Sequence, residues 1–173
     1  MDRAANLLGA LGLVVADRMT DALEESSGQS LTTATALSAL RDFLDEPSVD
    51  LLRQVLGLTS SGTVRLVDRL VEAGYVRRGT GPDGRTTAIR LTAAGRRAAA
   101  KVAAAREQVL EEALSALPPG ERAAFERSLG TVLVGMMRGP GATRWMCRLC
   151  DTGACGRPAG RCPVAAEATR RYG

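Results

Sequence analysis

Apolar residues recur at intervals of three and four along the first part of the chain, which is the spacing of one face of an α-helix. This pattern predicts a long first helix over residues 2–25, ended by a Ser-Ser-Gly sequence. It also predicts a second helix over 32–44, before Pro47, and a short third helix over 49–56. Ser48 is a suitable N-cap for the third helix, and Gly57 is a suitable C-cap.

A fourth helix is predicted directly after a tight turn at Gly57. Thr59 is its expected N-cap, and the helix should run to about Ala73. The residues expected on its buried side are Thr63, Leu66, Val67, Leu70 and Val71. Two helices joined by a short turn that contains glycine are typical of a helix-turn-helix.

Two strand-like runs follow, over 75–78 and 86–91, and they flank a turn with a Pro-Asp-Gly core. This pattern predicts a β-hairpin, the wing of a winged helix. Thr92 then caps a long helix over 93–117, and a last helix is expected over 121–138. The fold class is therefore mainly α with a small β-hairpin wing.

The pattern divides the chain into four parts. We expect residues 1–31 to form an N-terminal dimerisation helix and 32–92 to form a winged helix-turn-helix, a fold that is typically a DNA-binding domain. Residues 93–138 form the C-terminal dimerisation helices, and 139–173 form a cysteine-rich metal or redox segment. The first and last helices carry more apolar surface than one small domain can cover, which favours a dimer over a monomer.

Composition narrows the function classes. The 173 residues are 45% hydrophobic and only 3% aromatic, as expected of a globular protein with an aliphatic core. The chain has no apolar run long enough to span a membrane and no leader pattern, so we expect a cytoplasmic protein without membrane contact. It has no histidine, no phosphate-binding glycine loop and no triad-like set of residues, so we do not expect an enzyme.

Positive charge is concentrated in the predicted winged helix. Residues 59–96 contain seven arginines against three acidic residues, whereas the whole chain has a net charge of +4. The face of the fourth helix opposite its apolar stripe offers Ser60, Ser61, Gly62, Arg65 and Arg69. Small residues allow close approach to a major groove, hydroxyls and amides can meet phosphates, and an arginine can bind guanine. The alternatives are a solvated helix face or a protein-interaction module.

Several motifs in one order resemble the MarR family of winged-helix repressors over residues 2–138. The strongest is LGLTSSGTVRLVDRLVEAGYVRR at 56–78, which is similar to the family's recognition helix and first wing strand. PDGR at 82–85 is similar to its wing tip, and LTAAGR at 91–96 to the start of its long dimerisation helix. The resemblance implies that Arg78, Asp83 and Arg85 also belong to the DNA-binding surface, with Arg85 in or beside a minor groove.

The resemblance also implies the partners. A homodimer with two-fold symmetry would bind a pseudo-palindromic operator in double-stranded DNA, with half-sites about one helical turn apart. We interpret Asp68 as a residue that holds an arginine in place rather than as a base reader. A small-molecule effector between the dimerisation and winged-helix regions is a further implied partner.

All four cysteines lie near the C-terminal end of the sequence, in the order C-x2-C-x4-C-x6-C. They are Cys147, Cys150, Cys155 and Cys162. Clustered thiols followed by proline favour an iron–sulfur cluster, although the spacing matches no standard cluster motif. Two alternatives stay open: Zn(II) held by the same four thiolates, and a metal-free thiol switch.

The sequence therefore predicts a transcription regulator, of the repressor type, whose operator binding depends on redox state or oxygen sensed at the cysteine site. One alternative is a regulator with a structural zinc site or a thiol switch, whose signal is a small-molecule effector. Another is an iron–sulfur electron-transfer or interaction module that does not bind DNA. The arginine-rich surroundings of the cysteines would stabilise an anionic site of either metal.

Overall fold

The computed structural model describes residues 1–81 and 86–173. The helices before the hairpin are α1 (Arg3–Ser27), α2 (Leu31–Asp42), α3 (Val49–Leu56) and α4 (Ser60–Glu72). The hairpin consists of β1 (Val76–Thr80) and β2 (Thr87–Leu91). It is followed by α5 (Ala93–Ser115), α6 (Pro119–Gly135), α7 (Ala142–Met146), a 3-10 helix (Arg157–Ala159) and α8 (Pro163–Tyr172).

The predicted fold class is confirmed, and the predicted caps explain where the elements start. Ser48, Thr59 and Thr92 each accept a hydrogen bond from a backbone N–H in the first turn of α3, α4 and α5 respectively. Gly57 ends α3 in the left-handed conformation, with φ of 66°. These local signals place α3 and α4 on either side of a three-residue turn.

One aliphatic core holds the winged helix together. It is built from α2, α3, α4, the hairpin and the first turns of α5, and its fully buried members include Leu37, Leu52, Leu66 and Ile89. The expectation that Val71 is buried is wrong, because its side chain is 37% exposed. It lies at the edge of the α4 stripe, where the apolar pattern continues past the surface that the core covers.

The hairpin is fastened to the helix-turn-helix by main-chain hydrogen bonds. Strands β1 and β2 are antiparallel, with Val76 opposite Leu91 and Thr80 opposite Thr87. Ala88 also forms a β-bridge with Ser48, and the Ile89 N–H donates to the Pro47 carbonyl at 2.9 Å. The segment before α3 is therefore held beside β2, which fixes the hairpin relative to α3.

The start of α5 packs tightly against the turn after α4. The Thr92 hydroxyl donates to the Gly74 carbonyl at 2.6 Å, and the Gly95 N–H donates back to that hydroxyl at 3.0 Å. Gly95 is buried, and a Cβ at this position would lie 1.9 Å from the Tyr75 carbonyl oxygen. Only glycine allows α5 to approach this turn so closely.

Apolar stripes on α1 and α6 remain uncovered within the single chain. The second half of α1 packs on α5 and α2, whereas the side chains of its first half are exposed. Helix α6 buries none of its residues fully and makes its main packing contact with α8. The exposed apolar residues on the two helices are Leu7, Leu8, Leu11, Leu13, Val14, Leu129, Val132 and Leu133.

The cysteine segment contains two helices and a 3-10 turn that the sequence patterns did not predict. Helices α7 and α8 pack against each other around a small core of Met137, Ala142, Cys162 and Val164. Among the described residues, no helix is both long and apolar enough to cross a bilayer.

The Gly95 contact generates a stability prediction. Gly95→Ala should lower the free energy of unfolding by about 3 kcal/mol, because the added methyl group overlaps the Tyr75 carbonyl and forces a backbone shift. Urea titrations at one fixed protein concentration would measure the change. Gly120→Ala in the first turn of α6 is the matched control, since nothing lies within 4 Å of its Cβ position. Equal stability of the two variants would show that the Gly95 contact is not a constraint.

Candidate nucleic-acid interface and cysteine site

The exposed face of α4 contains most of the predicted DNA-binding residues of that helix. Ser60, Ser61, Arg65 and Arg69 are exposed, and Gly62 is half-buried beneath them. The opposite face is anchored by Thr63, Leu66, Val67 and Leu70, which are buried in the core. The core packing therefore fixes which face of α4 points away from the protein.

The first turn of α4 is shaped for close approach. The Thr59 hydroxyl accepts the Gly62 N–H at 3.1 Å, and a Cβ on Gly62 would lie only 3.0 Å from that hydroxyl oxygen. Small side chains follow at Ser60 and Ser61, so little separates the helix N-terminus from solvent. Free amides at a helix N-terminus attract phosphate groups.

Some of the arginines around α4 form ion pairs with acidic residues, and others do not. Asp68 binds Arg78 of β1 at 2.5 Å, which confirms the interpretation that Asp68 holds an arginine in place. Arg90 of β2 binds Glu46 at 2.6 Å. Within the described part of the chain, Arg65 and Arg69 make no ion pair. Their charges are therefore not neutralised by a neighbouring carboxylate.

Val64 is a surface residue that the sequence analysis missed. It is 47% exposed and lies on α4 next to Arg65, one helical turn after Ser60. An exposed valine on such a face is suited to contact the methyl group of thymine. Its position four residues after Ser60 is the sequence signal that could have identified it. The predicted wing-tip residues Asp83 and Arg85 lie outside the described residues.

The four cysteines lie between the end of α7 and the start of α8. Cys147 follows α7 and is buried, whereas Cys150 and Cys155 are half-buried in the loop that comes next. Cys162 is buried at the start of α8, directly before Pro163. All four are free thiols.

Interactions among the thiols join them into two pairs. Cys147 and Cys150 are hydrogen-bonded, and so are Cys155 and Cys162. Electrostatic interactions also link Cys147 with Cys162 and Cys150 with Cys155. In the parts of the chain that the structure describes, however, no three Cys, Asp or Glu side chains are arranged to hold a metal ion. The thiols thus lie near each other as pairs.

In the first pair, Cys150 loses its proton much more readily than Cys147. The hydrogen bond from Cys147 lowers the pKa of Cys150 to about 6, with help from the positive charges of Arg106 and Arg157 against the effect of burial. The same hydrogen bond, followed by burial, raises the pKa of Cys147 well above its ordinary range. Burial also raises the pKa of Cys155. Cys150 is therefore expected to be a thiolate at neutral pH.

Two arginines beside the cysteines have unused hydrogen-bond donors. Nε of Arg106 and Nη1 of Arg157 are buried and have no acceptor among the described residues. Buried N–H groups are normally paired, so each of these two donors lacks a partner that such a group usually has. The four thiols are soft sulfur donors with positive charge around them, but in the described structure they lie as pairs and are not arranged around one metal position.

Hydrogen bonds and apolar packing attach the cysteine segment to the rest of the chain. Thr152 donates to the carbonyl of Asp42 at the end of α2 at 2.8 Å. Arg144 of α7 donates to Gln54 of α3. Leu149 packs into an apolar cluster formed mainly by α1, α2 and α5, which includes Leu23, Ala34 and Val102. On the other side, Pro163 of α8 lies against Gly130 of α6.

A helix-turn-helix with an exposed second helix, followed by a hairpin fixed to its side, defines a winged helix-turn-helix protein. A model of the MarR family matches residues 27–86, which span α2 to α4 and the first strand of the wing. This part of the chain is therefore similar to the MarR family, and the chain carries in addition a segment with four cysteines. A search of curated protein sequences found no match.

Solved structures share the fold. A MarR family protein from Bacillus stearothermophilus is 25% identical with a TM-score of 0.69, over 78% of this chain and 94% of that chain. MepR, a regulator of a Staphylococcus aureus multidrug efflux pump, is 16% identical with a TM-score of 0.65, over 76% and 97%. CouR from Rhodococcus jostii is 23% identical with a TM-score of 0.59, over 76% and 92%.

The lowered pKa of Cys150 generates a reactivity prediction. In reduced, metal-free protein at pH 7, iodoacetamide should modify Cys150 first and Cys147 last, because alkylation requires a thiolate. The rate at Cys150 should fall as the pH is lowered through about 6, where this thiolate gains its proton. Peptide mass spectrometry after timed alkylation would measure each site.

Cys150→Ser is the control for this assignment, and it should remove the fast reaction at neutral pH. Similar rates at all four cysteines, rising together near the ordinary thiol pKa of about 8.5, would contradict it.

Proposed function

We propose that the protein is a sequence-specific DNA-binding transcription regulator that acts as a repressor. The observation that carries the proposal is the exposed face of α4. It presents Val64 and two arginines without an ion-pair partner among the described residues, Arg65 and Arg69, next to a helix N-terminus with small side chains. In winged helices such a face enters the major groove and reads base edges. The match of residues 27–86 to the model of the MarR family supports the same role.

The proposed active form is a homodimer. The first half of α1 and one side of α6 expose leucines and valines that would be costly to leave in water. A second copy of the chain would cover them, as the MarR resemblance implies. Two-fold symmetry would then present two copies of α4 to a pseudo-palindromic operator.

The cysteine site is the proposed sensor. Cys147, Cys150, Cys155 and Cys162 would bind an iron–sulfur cluster, with Zn(II) or a metal-free thiol switch as the alternatives. A cluster would supply sensitivity to oxygen or redox state. Closing the site would require the two thiol pairs to move together, and the segment is attached to α2, α3 and α6. Such a movement would bias the position of the winged helix.

A small-molecule effector is a second candidate signal, favoured by a cavity of about 400 Å³ between α2, α5 and the cysteine segment. Its walls include Arg41, Arg106, Glu107 and Leu149, which combine charged and apolar surface. This volume is in the range of small-ligand pockets. The solved structure of CouR is bound to p-coumaroyl-CoA, so a protein of similar fold binds a bulky organic ligand.

Base reading by Arg65 generates a DNA-binding prediction. A duplex would first be selected from random-sequence DNA on the purified protein. Arg65→Ala should then reduce the preference for this duplex over a scrambled one by about 10-fold to 100-fold, because a bidentate arginine distinguishes guanine from other bases. Fluorescence anisotropy at several salt concentrations would measure both affinities.

Arg171→Ala on α8 is the matched control, since it removes the same charge while Glu167 keeps its partner Arg170. The control should preserve the preference. Binding by the wild type that shows neither a sequence preference nor a steep dependence on salt would refute the proposal of a sequence-specific regulator.

The sensor proposal predicts a metal-dependent affinity. Anaerobically purified protein should be brown, with iron and sulfide bound in similar amounts, and Cys155→Ser should lose both. Removing the metal should change the affinity for the selected duplex by at least about fivefold, a typical coupling between two sites. A colourless protein with one zinc per chain would favour the zinc alternative. The sensor role would be excluded if the protein bound neither iron nor zinc and if oxidation of its thiols left the affinity for DNA unchanged.

A further inference from the structure

Positive charge is concentrated in two parts of the chain. One is the winged helix, over residues 59–96, and the other is the cysteine segment, where residues 138–173 contain seven arginines against Asp151 and Glu167. Residues 1–58 and 97–137 together have an excess of acidic residues. The positive charge of the cysteine segment is therefore a local property of that segment. A local positive surface attracts polyanions.

Several arginines of the segment already have partners within the chain. Arg170 and Arg171 both bind Glu167 on α8. The guanidinium carbon of Arg157 lies 5.0 Å from the centroid of the Phe43 ring, a distance at which the cation is attracted to the ring face. These three arginines are therefore not the ones that a polyanion would find free.

Arg144 differs from them, because it lies next to the helix-turn-helix and its charge is not matched. Helix α7 packs against α3, and the Arg144 guanidinium donates to the side-chain carbonyl of Gln54 in the last turn of α3. Both residues are exposed. Asp50, which accepts a hydrogen bond from Gln54, is paired with Arg53 at 2.8 Å. Since Gln54 is uncharged and Arg144 forms no ion pair within the described residues, a full positive charge remains at this surface.

The end of α3 is a place where a bound duplex would come close to the protein. Only residues 57–59 separate α3 from α4, the helix that exposes Arg65 and Arg69. In helix-turn-helix proteins the second helix lies in the major groove, while the first crosses the sugar–phosphate backbone. A duplex seated on α4 would therefore have backbone phosphates beside α3, where the cysteine segment places Arg144.

We propose that the cysteine segment is itself part of the DNA interface, and that Arg144 binds a phosphate of the backbone beside α3. Gln54 uses one donor of the guanidinium, so the other N–H groups can bind a phosphate at the same time. A phosphate contact carries no sequence information and adds affinity for every duplex. The inference rests on the proposed DNA-binding function, but it requires no metal in the segment.

The first test measures how the affinity depends on salt. Wild type and Arg144→Gln would be titrated with the selected duplex and the scrambled one by fluorescence anisotropy at several salt concentrations. Each lost phosphate contact reduces the slope of log affinity against log salt by about 0.9, so a dimer that loses both copies should lose about two. The reduction should be equal for both duplexes. The preference for the selected duplex should stay at the wild-type value, in contrast to Arg65→Ala.

The second test locates the contact on the DNA. Ethylation of a phosphate removes its negative charge, and it therefore interferes with binding wherever the protein contacts that phosphate. Arg144→Gln should lose the interference at phosphates on one side of each half-site and keep it at the others.

Three variants serve as controls. Gln54→Ala removes the partner of Arg144 but no charge, so the salt slope should stay at the wild-type value. Arg144→Lys keeps the charge and should recover most of the slope. Arg171→Gln removes the same charge from α8, which packs on α6, and should change neither the slope nor the interference pattern. Circular dichroism would confirm that each variant is folded.

A wild-type slope and interference pattern in Arg144→Gln would overturn the contact. A reduction as large in Gln54→Ala or Arg171→Gln, or no recovery in Arg144→Lys, would overturn it as well, because the effect would then not come from the charge at this position. Wild-type protein that binds neither duplex in a salt-dependent manner would instead overturn the proposed DNA-binding function. The two failures are therefore distinguishable.

Discussion

The close approach of α5 to the turn after α4 constrains how these two helices can move relative to each other. The Thr92 hydroxyl donates a hydrogen bond to the Gly74 carbonyl and accepts one from the Gly95 N–H. A side chain at Gly95 would overlap the Tyr75 carbonyl. Because protein interiors are densely packed, α4 and α5 cannot shift independently where they meet. Helix α1 packs along α5 in turn. A displacement of α5 at this contact would therefore displace the end of α4 as well.

The cysteine segment forms a second connection between the same parts. It is joined to the end of α2 by Thr152, to α3 by Arg144 and to α6 by the packing of α8. A change in the cysteine site can thus act on the winged helix directly, as well as through α5.

The parts of the fold that local signals determine were predictable from the sequence. Helices α3 and α4 start and end within one or two residues of their predicted limits because each has its own cap, and the buried side of α4 follows from its period, apart from Val71. Helices α7 and α8 were not predicted, because such short helices are stabilised by the contacts they make with distant elements. Neither the pairing of the thiols nor the position of Arg157 over Phe43 can be read from cysteine spacing, since both depend on how the loop folds back on α2.

The dependence of α6 on α8 gives the cysteine segment a role beyond its own site. Helix α6 has no fully buried residue, so its position within the chain relies on Pro163 and its neighbours, together with an ion pair between Arg122 and Glu111 of α5. An exposed ion pair contributes little to stability. The packing with α8 therefore sets where the apolar side of α6 lies. Since that side would form part of the proposed dimer contact, a rearrangement of the segment that begins α8 at Cys162 would alter the spacing of the two recognition helices as well as the orientation of each one.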